Sequence, residues 1–342
     1  METVEIKIYA DEQTNPNFIC LGVLFLPIDK RKKLLQHLIN IRCLFKKSNK
    51  WYWNYSDCPF KNECREEWHK LNNSEIHWKD LRDSRSSAAI KRISKNWLEF
   101  LIKNNKRDMG LIYFNLLYIE LDKLDISRFG SKKEHENIYN KFFRTNLLYG
   151  IKTFFGNFSK VIIKRVYHDE ASVRKHKYFP YLNLKKLEGL NYDKITVEDY
   201  NVKFLNSDHR TYLNGNRNFV DDCQLLQFID LIIGATTQNI FYLSNDIFKK
   251  ELAMIIRPLV ERLLERPKNK NSSYHYYKKQ HIGVFPKYKI DRAVKKMYRL
   301  NGTLMETFSK DLFYTNKKLK MPEFDPQQKT LSNNFWVKND ST

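Results

Sequence analysis

"KIYADEQTNPNFICLGVLFL", residues 7–26, decides what kind of fold to expect. Val4, Ile6 and Ile8 alternate with polar residues, which is the period of a strand over Ile6 to Ala10. Two acids follow, Asp11 and Glu12, and then a polar stretch holding Asn15 and Pro16, read as a turn. Phe18 to Leu26 is almost wholly apolar, as a strand buried on both faces must be. The short link predicts an antiparallel pair with the second strand central in a sheet.

Downstream the pattern alternates. Asp29 can cap a helix over residues 31–45 with Leu34, Leu35, Leu38, Ile39 and Leu44 as its buried stripe. Ile90, Ile93, Trp97, Leu98 and Leu101 mark a helix over 86–103. Residues 109–119 read as a strand and 134–155 as a helix. "KVIIKRVYHDE" is a further strand, again ending in two acids, Asp169 and Glu170. "QLLQFIDLIIGATTQ" is a helix apolar almost all round, with Asp230 inside it. Interleaved strands and helices predict an α/β domain over residues 1–240. An aromatic, Lys-rich insertion spans 46–73, and a helical, basic extension spans 241–342. From residue 268 onward sixteen Lys and Arg face six Asp and Glu.

The 342 residues carry a formal net charge of +22, with 61 Lys and Arg against 39 Asp and Glu. That excess points to a polyanionic partner, a nucleic acid. Hydrophobic content of 42% supplies a core, which argues against wholesale disorder. No apolar run reaches membrane-spanning length, so no membrane partner is expected. Early acids and the lack of a small-residue cleavage site predict no secretory leader. Five cysteines without dense spacing predict reduced thiols in a cytoplasmic protein. Gly-rich phosphate loops, Gly-x-Ser-x-Gly and dinucleotide fingerprints are missing, which argues against a nucleotide-driven motor.

Asp11 and Asp169 each close an apolar strand, and Asp230 sits in a helix with little reason to carry charge. Each alone reads as a turn residue, a cap or a salt-bridge partner. Together, three acids from separate elements suit a hard divalent cation, Mg²⁺ or Mn²⁺, which would relieve their repulsion. Other clusters invite two readings each. Lys46, Lys47 and Lys50 beside Trp51 and Trp53 could contact single-stranded nucleic acid or pack the insertion onto the main domain. Arg210 and Arg217 in "RTYLNGNRN" could approach a phosphate or lie on a solvated loop. Cys58, Cys64 and His69, with Cys43, hold zinc-ligand chemistry, but the C-x5-C spacing is not the usual short knuckle and argues for free thiols.

"YADE", "EIHWKDL", "VYHDE" and "FLNS…QLLQFIDLIIGA" occur in that order. In this the chain resembles domain of unknown function 3800, a group of prokaryotic proteins regarded as having an RNase H-like fold. The resemblance covers residues 7–235, with weaker support to "HIGVFPKYK" at 281–289. It implies an RNase H-like mixed sheet flanked by helices and an acidic site. Asp11, Glu12, Glu75, Asp169 and Asp230 would be its metal ligands, and His77 would stand beside Glu75 as a catalytic or supporting base. The implied chemistry is hydrolysis of DNA or RNA phosphodiesters with one or two Mg²⁺ or Mn²⁺ ions, Asp11 bridging. The chain departs from the family at Gln13-Thr14-Asn15, where Ser/Thr-Gly is usual. A prokaryotic defence or mobile-element role would suit the family. The rival expectation is a catalytically silent nucleic-acid-binding adaptor working with a protein partner or a second copy of itself.

Overall fold

The computed structural model describes residues 2–44, 52–104, 110–121, 124, 126–129, 134–170, 184–188, 194–215, 217–265, 279–285, 299–300 and 303–304. The chain is α/β, a mixed seven-stranded sheet between two layers of helices. Strand β1 (Thr3–Asn15) pairs antiparallel with β2 (Phe18–Pro27), and β2 pairs antiparallel with β3 (Tyr113–Glu120). On the other side of β1 lies β4 (Lys160–Asp169), parallel to it. The edge beyond β4 is shared by β5 (Ile195–Val197) and β6 (Val202–Leu205). The opposite edge is β7 (Gln280–Phe285), parallel to β3.

β2 is buried at every position, as its unbroken apolar run requires. One face of the sheet packs on α1 (Ile28–Arg42), α3 (Ala88–Lys103), α5 (Val220–Phe241) and α6 (Ile247–Glu265). The short α2 (Glu66–Asn72) lies against α3. The other face packs on α4 (Glu134–Phe155), whose Ile138, Phe142, Phe143, Leu147 and Ile151 meet Ile6, Ile8 and Val23. Alternate residues of β1 therefore belong to different cores, Tyr9 to the α5 face and Ile8 and Ala10 to the α4 face.

Two expectations need correction. The stretch Gln13 to Asn15 is not a turn: the β1–β2 ladder runs on through Asp11↔Gly22 and Glu12↔Leu21 to Asn15↔Phe18, and only Pro16 and Asn17 reverse the chain. Polar residues kept their ladder because backbone pairing with β2 outweighs their turn propensity. Residue 240 is also no break in packing. Leu252, Ile256, Leu259 and Leu263 of α6 share a core with α5, and β7 joins the main sheet. Among the described residues no helix is long and apolar enough to cross a membrane.

Gly22 lies on β2 opposite Asp11, directly under α5. A Cβ there would run into the Ile233 side chain. Gly22→Ala is expected to cost about 1–3 kcal/mol of stability by overpacking. Denaturant titration checks this; an unchanged midpoint would mean that α5 is not seated there.

Candidate metal centre

A one-residue irregularity in β4 determines which side chains meet. Ile6 pairs with Ile163, but Lys7 pairs with Arg165, so Lys164 is the extra residue of a bulge. Above it Tyr9 pairs with Tyr167 and Ala10 with His168. Asp11 and Asp169 follow side by side, both facing α5 with Tyr9 and Tyr167. They are 4% and 2% exposed, a floor of two buried acids. Asp11 Oδ1 accepts the Glu12 N–H at 2.8 Å, and Asp169 Oδ1 accepts the Ser207 N–H at 3.3 Å.

Helix α5 supplies the third acid and organises a fourth. Asp230 Oδ2 accepts the Trp78 N–H at 2.6 Å. One turn earlier, Gln227 Oε1 accepts the Ile76 N–H at 3.1 Å and the Arg42 Nη2 at 2.8 Å. Its Nε2 donates to the Ser207 carbonyl at 2.7 Å and to His209 Nδ1 at 3.1 Å. These bonds lay residues 74–78 along α5. The Ser207 hydroxyl then donates to Glu75 Oε1 at 2.8 Å. Glu75, His77 and Asp230 are half-buried, a rim above the two buried acids.

The charges at this centre act on one another. Burial pushes the Asp11 carboxyl well above the usual range, and Asp169, Asp230 and Glu12 push it further. Burial also raises Asp230, with Asp169 adding to it and His77, the Trp78 N–H and Lys249 opposing. Glu75 is raised by burial against the pull of the Ser207 hydroxyl and His77. For His77 burial favours the neutral ring, but Asp230, Glu75, Asp80 and Asp169 outweigh it and the pKa goes up. Four acids from β1, β4, α5 and the 74–78 segment thus share one electrostatic field.

Among the described residues no group of three or more His, Cys, Asp or Glu side chains is already arranged to hold a metal ion. The donor chemistry nevertheless fits a hard cation: the acids offer oxygen atoms only, and their mutual repulsion is what a divalent ion removes.

Glu12 does not join them. It projects to the α4 face, where its Oε2 accepts the Tyr139 hydroxyl at 2.9 Å and lies 3.1 Å from His168 Nε2. Neighbours in a strand point to opposite faces, so an Asp-Glu pair cannot serve one site from a regular ladder. Trp53 packs its ring 4.6 Å from that of His209, and its carbonyl accepts Asn73 Nδ2. It ties the insertion to the main domain. The Arg210 guanidinium is held by both carboxylate oxygens of Asp208, Nη2 at 2.7 Å from Oδ2. Lys46, Lys47, Lys50 and Trp51 lie outside the described residues, as does the side chain of Arg217.

Several residues escaped the sequence reading. Arg42 is fully buried and donates to Gln224, Gln227 and the carbonyls of Asn72 and Ser74. Burial lowers its pKa to about 9. Lys249, at the start of α6, rests over the Trp78 ring 5.3 Å from its centroid and acts on Asp230. The polar stripe Gln224–Gln227 on an apolar helix was the available signal for Arg42; Lys249 had none, because α6 reaches the site only through tertiary packing. No family model, curated protein or solved structure matches the chain.

Arg42→Met should cost about 2–4 kcal/mol, because it strands buried acceptors on Gln224, Gln227, Asn72 and Ser74. Thermal unfolding checks it, and loss of no more than a few tenths of a kcal/mol would remove Arg42 from the scaffold. Asp11→Asn should do the reverse in chelator: with one like charge gone, Tm rises by about 2–4 °C at neutral pH. A fall in Tm would mean that the Asp11 charge is compensated within the protein.

Proposed function

We propose that the protein is a metal-dependent nuclease that hydrolyses phosphodiester bonds of DNA or RNA. The observation that carries this reading is the convergence of Asp11, Asp169, Asp230 and Glu75 from four separate elements onto one face of the sheet. The strand order, with an antiparallel β1–β2–β3 meander and a parallel β4 beside β1, supports an RNase H-like architecture. So does the quoted resemblance to domain of unknown function 3800.

Asp11, Asp169, Asp230 and Glu75 would hold Mg²⁺ or Mn²⁺, which when bound supplies an activated water and charge neutralisation at the phosphate. Asp11 and Asp169 fix the floor because the sheet fixes them. Ser207 orients Glu75, and the Trp78 N–H orients Asp230. His77 is held toward its protonated form by the acids around it, and it can give a proton to a leaving oxygen. Lys249 places a cation beside Asp230, where a phosphate would arrive. The wider positive charge of the chain favours the polyanion as a whole.

One observation favours a second reading, a silent nucleic-acid-binding protein: the acids share a field without being arranged as ligands of one ion. Labelled single- and double-stranded DNA and RNA, incubated with Mg²⁺, Mn²⁺ or EDTA, separate the two. Cleavage should need the divalent ion and fall by about 10²-fold or more in both Asp11→Asn and Asp230→Asn. Cleavage that persists in those variants removes the site assignment. Binding without cleavage of any substrate favours the silent protein.

A further inference from the structure

The insertion before α3 has an interior of unusual chemistry. Among residues 52–73 those buried are Cys58, His69, Asn72 and Asn73, with no other apolar side chain among them. Trp68 and Leu71 are exposed. So short a segment without an apolar core needs another source of order, a disulfide or a metal. All five cysteines of the chain are free thiols.

The backbone brings ligand-type residues to this interior. Cys58 opens a tight loop in which Lys61 N bonds the Cys58 carbonyl at 3.2 Å and Cys64 N bonds the Phe60 carbonyl at 3.0 Å. The Tyr55 hydroxyl closes the loop, its single proton shared between the Lys61 and Cys64 carbonyls at 2.7 and 2.8 Å. The Tyr55 ring meets that of His69 edge-on at 5.7 Å. His69 follows on α2, and the backbone of Tyr52 and Trp53 accepts its ring hydrogen bonding. A zinc-ligating imidazole is oriented in this way by a carbonyl on its far side. Cys43 arrives from the end of α1. Arg92 clamps that end to α2, its guanidinium donating to the carbonyls of Ile41 and Arg42 and to Asn72 Oδ1. The Cys64 thiol is raised by burial and then by Cys58 and Cys43, so both of those sulfurs lie within electrostatic reach of it.

We propose that Cys43, Cys58, Cys64 and His69 bind a structural zinc ion that orders the insertion. Three thiolates and one imidazole are a standard closed tetrahedral set. Each thiol gives its proton to solvent as its sulfur binds, and zinc undergoes no redox change. The Arg92 guanidinium, which feels Cys43, offsets part of the resulting negative charge. The unligated side chains are not drawn in to ligand distance, so binding must close the loop around the ion. The site shares no residue with the acidic centre and does not depend on the nuclease reading.

The test uses the full-length, untagged protein purified under reducing conditions from zinc-supplemented cells. Elemental analysis should find about one equivalent of zinc, kept in Asp11→Asn and in Cys20→Ser, and lost in Cys58→Ser/Cys64→Ser. Cobalt titrated into the reduced, zinc-stripped protein should give thiolate charge-transfer and tetrahedral d–d absorption, and this does not require the double variant to be well folded. Zinc that disappears in Asp11→Asn but stays in the cysteine variant belongs to the acidic centre and overturns the proposal. So does wild-type protein that holds no zinc and gives no cobalt–thiolate band.

Discussion

The bulge at Lys164 is the constraint on which the acidic centre depends. Without the extra residue, Asp11 would stand beside His168, and Asp169 beside Glu12. A one-residue slip would therefore set unlike pairs on each face of the sheet. With it, the face toward α5 receives Asp11 and Asp169, and the face toward α4 receives Glu12 and His168. The second pair has its own function in the fold. His168 is raised by Glu12 despite the opposing effect of burial, and it bonds the Asp169 carbonyl through Nδ1 at 2.9 Å. An attractive pair behind the sheet thus braces the backbone that carries a repulsive pair in front.

Gln227 extends that order from the sheet to the rim. A side-chain amide has two donor hydrogens and two acceptor positions, and Gln227 fills all four with Ser207, His209, Arg42 and Ile76. His209 can accept only if Nδ1 carries no proton, and burial, Arg42 and Arg210 together push its pKa down to about 2. With every position filled, the Gln227 amide is fixed in one orientation. Asp222 anchors the same helix two turns earlier, accepting the Tyr9 hydroxyl at 2.6 Å and Arg31 Nη2 at 2.7 Å. Its place in the first turn also complements the helix dipole. Asp230 is thereby held by two separate polar anchors along one otherwise apolar helix.

Much of this was legible in the sequence. β2, α4 and α5 follow from long apolar runs or helical periodicity; the bounds of β2 and α4 hold to within a residue, while α5 extends four residues before and three beyond the stretch 224–238. Asp11, Asp169 and Asp230 stood out because charge interrupted apolar patterns. Glu12 stood out for the same reason and was misplaced, since adjacency in sequence means opposition across a sheet. The polar end of β1 and the docking of α6 and β7 were illegible, because each depends on partners distant in the chain. At the cysteines the C-x5-C interval could not show that the Tyr55 hydroxyl folds the loop between them.

The acidic centre is an electrostatic conflict that the fold maintains rather than relieves. Core packing, the Lys164 bulge and the Gln227 network all act to hold like charges together. Lys249 shows the complementary cost. Its ammonium is half-buried, touches the Trp78 ring and the Lys79 carbonyl at 3.4 Å, and makes no ion pair among the described residues. Burial lowers its pKa, Arg82 lowers it further, and Asp246, Asp230 and Asp80 only partly compensate. A cation and a set of acids that are neighbours but not ion-paired would each gain from a missing counter-charge, a divalent cation for the acids and an anion for Lys249. On the proposed nuclease reading, a metal-bound phosphodiester would bring both at once to the rim that the two unfavourable environments share.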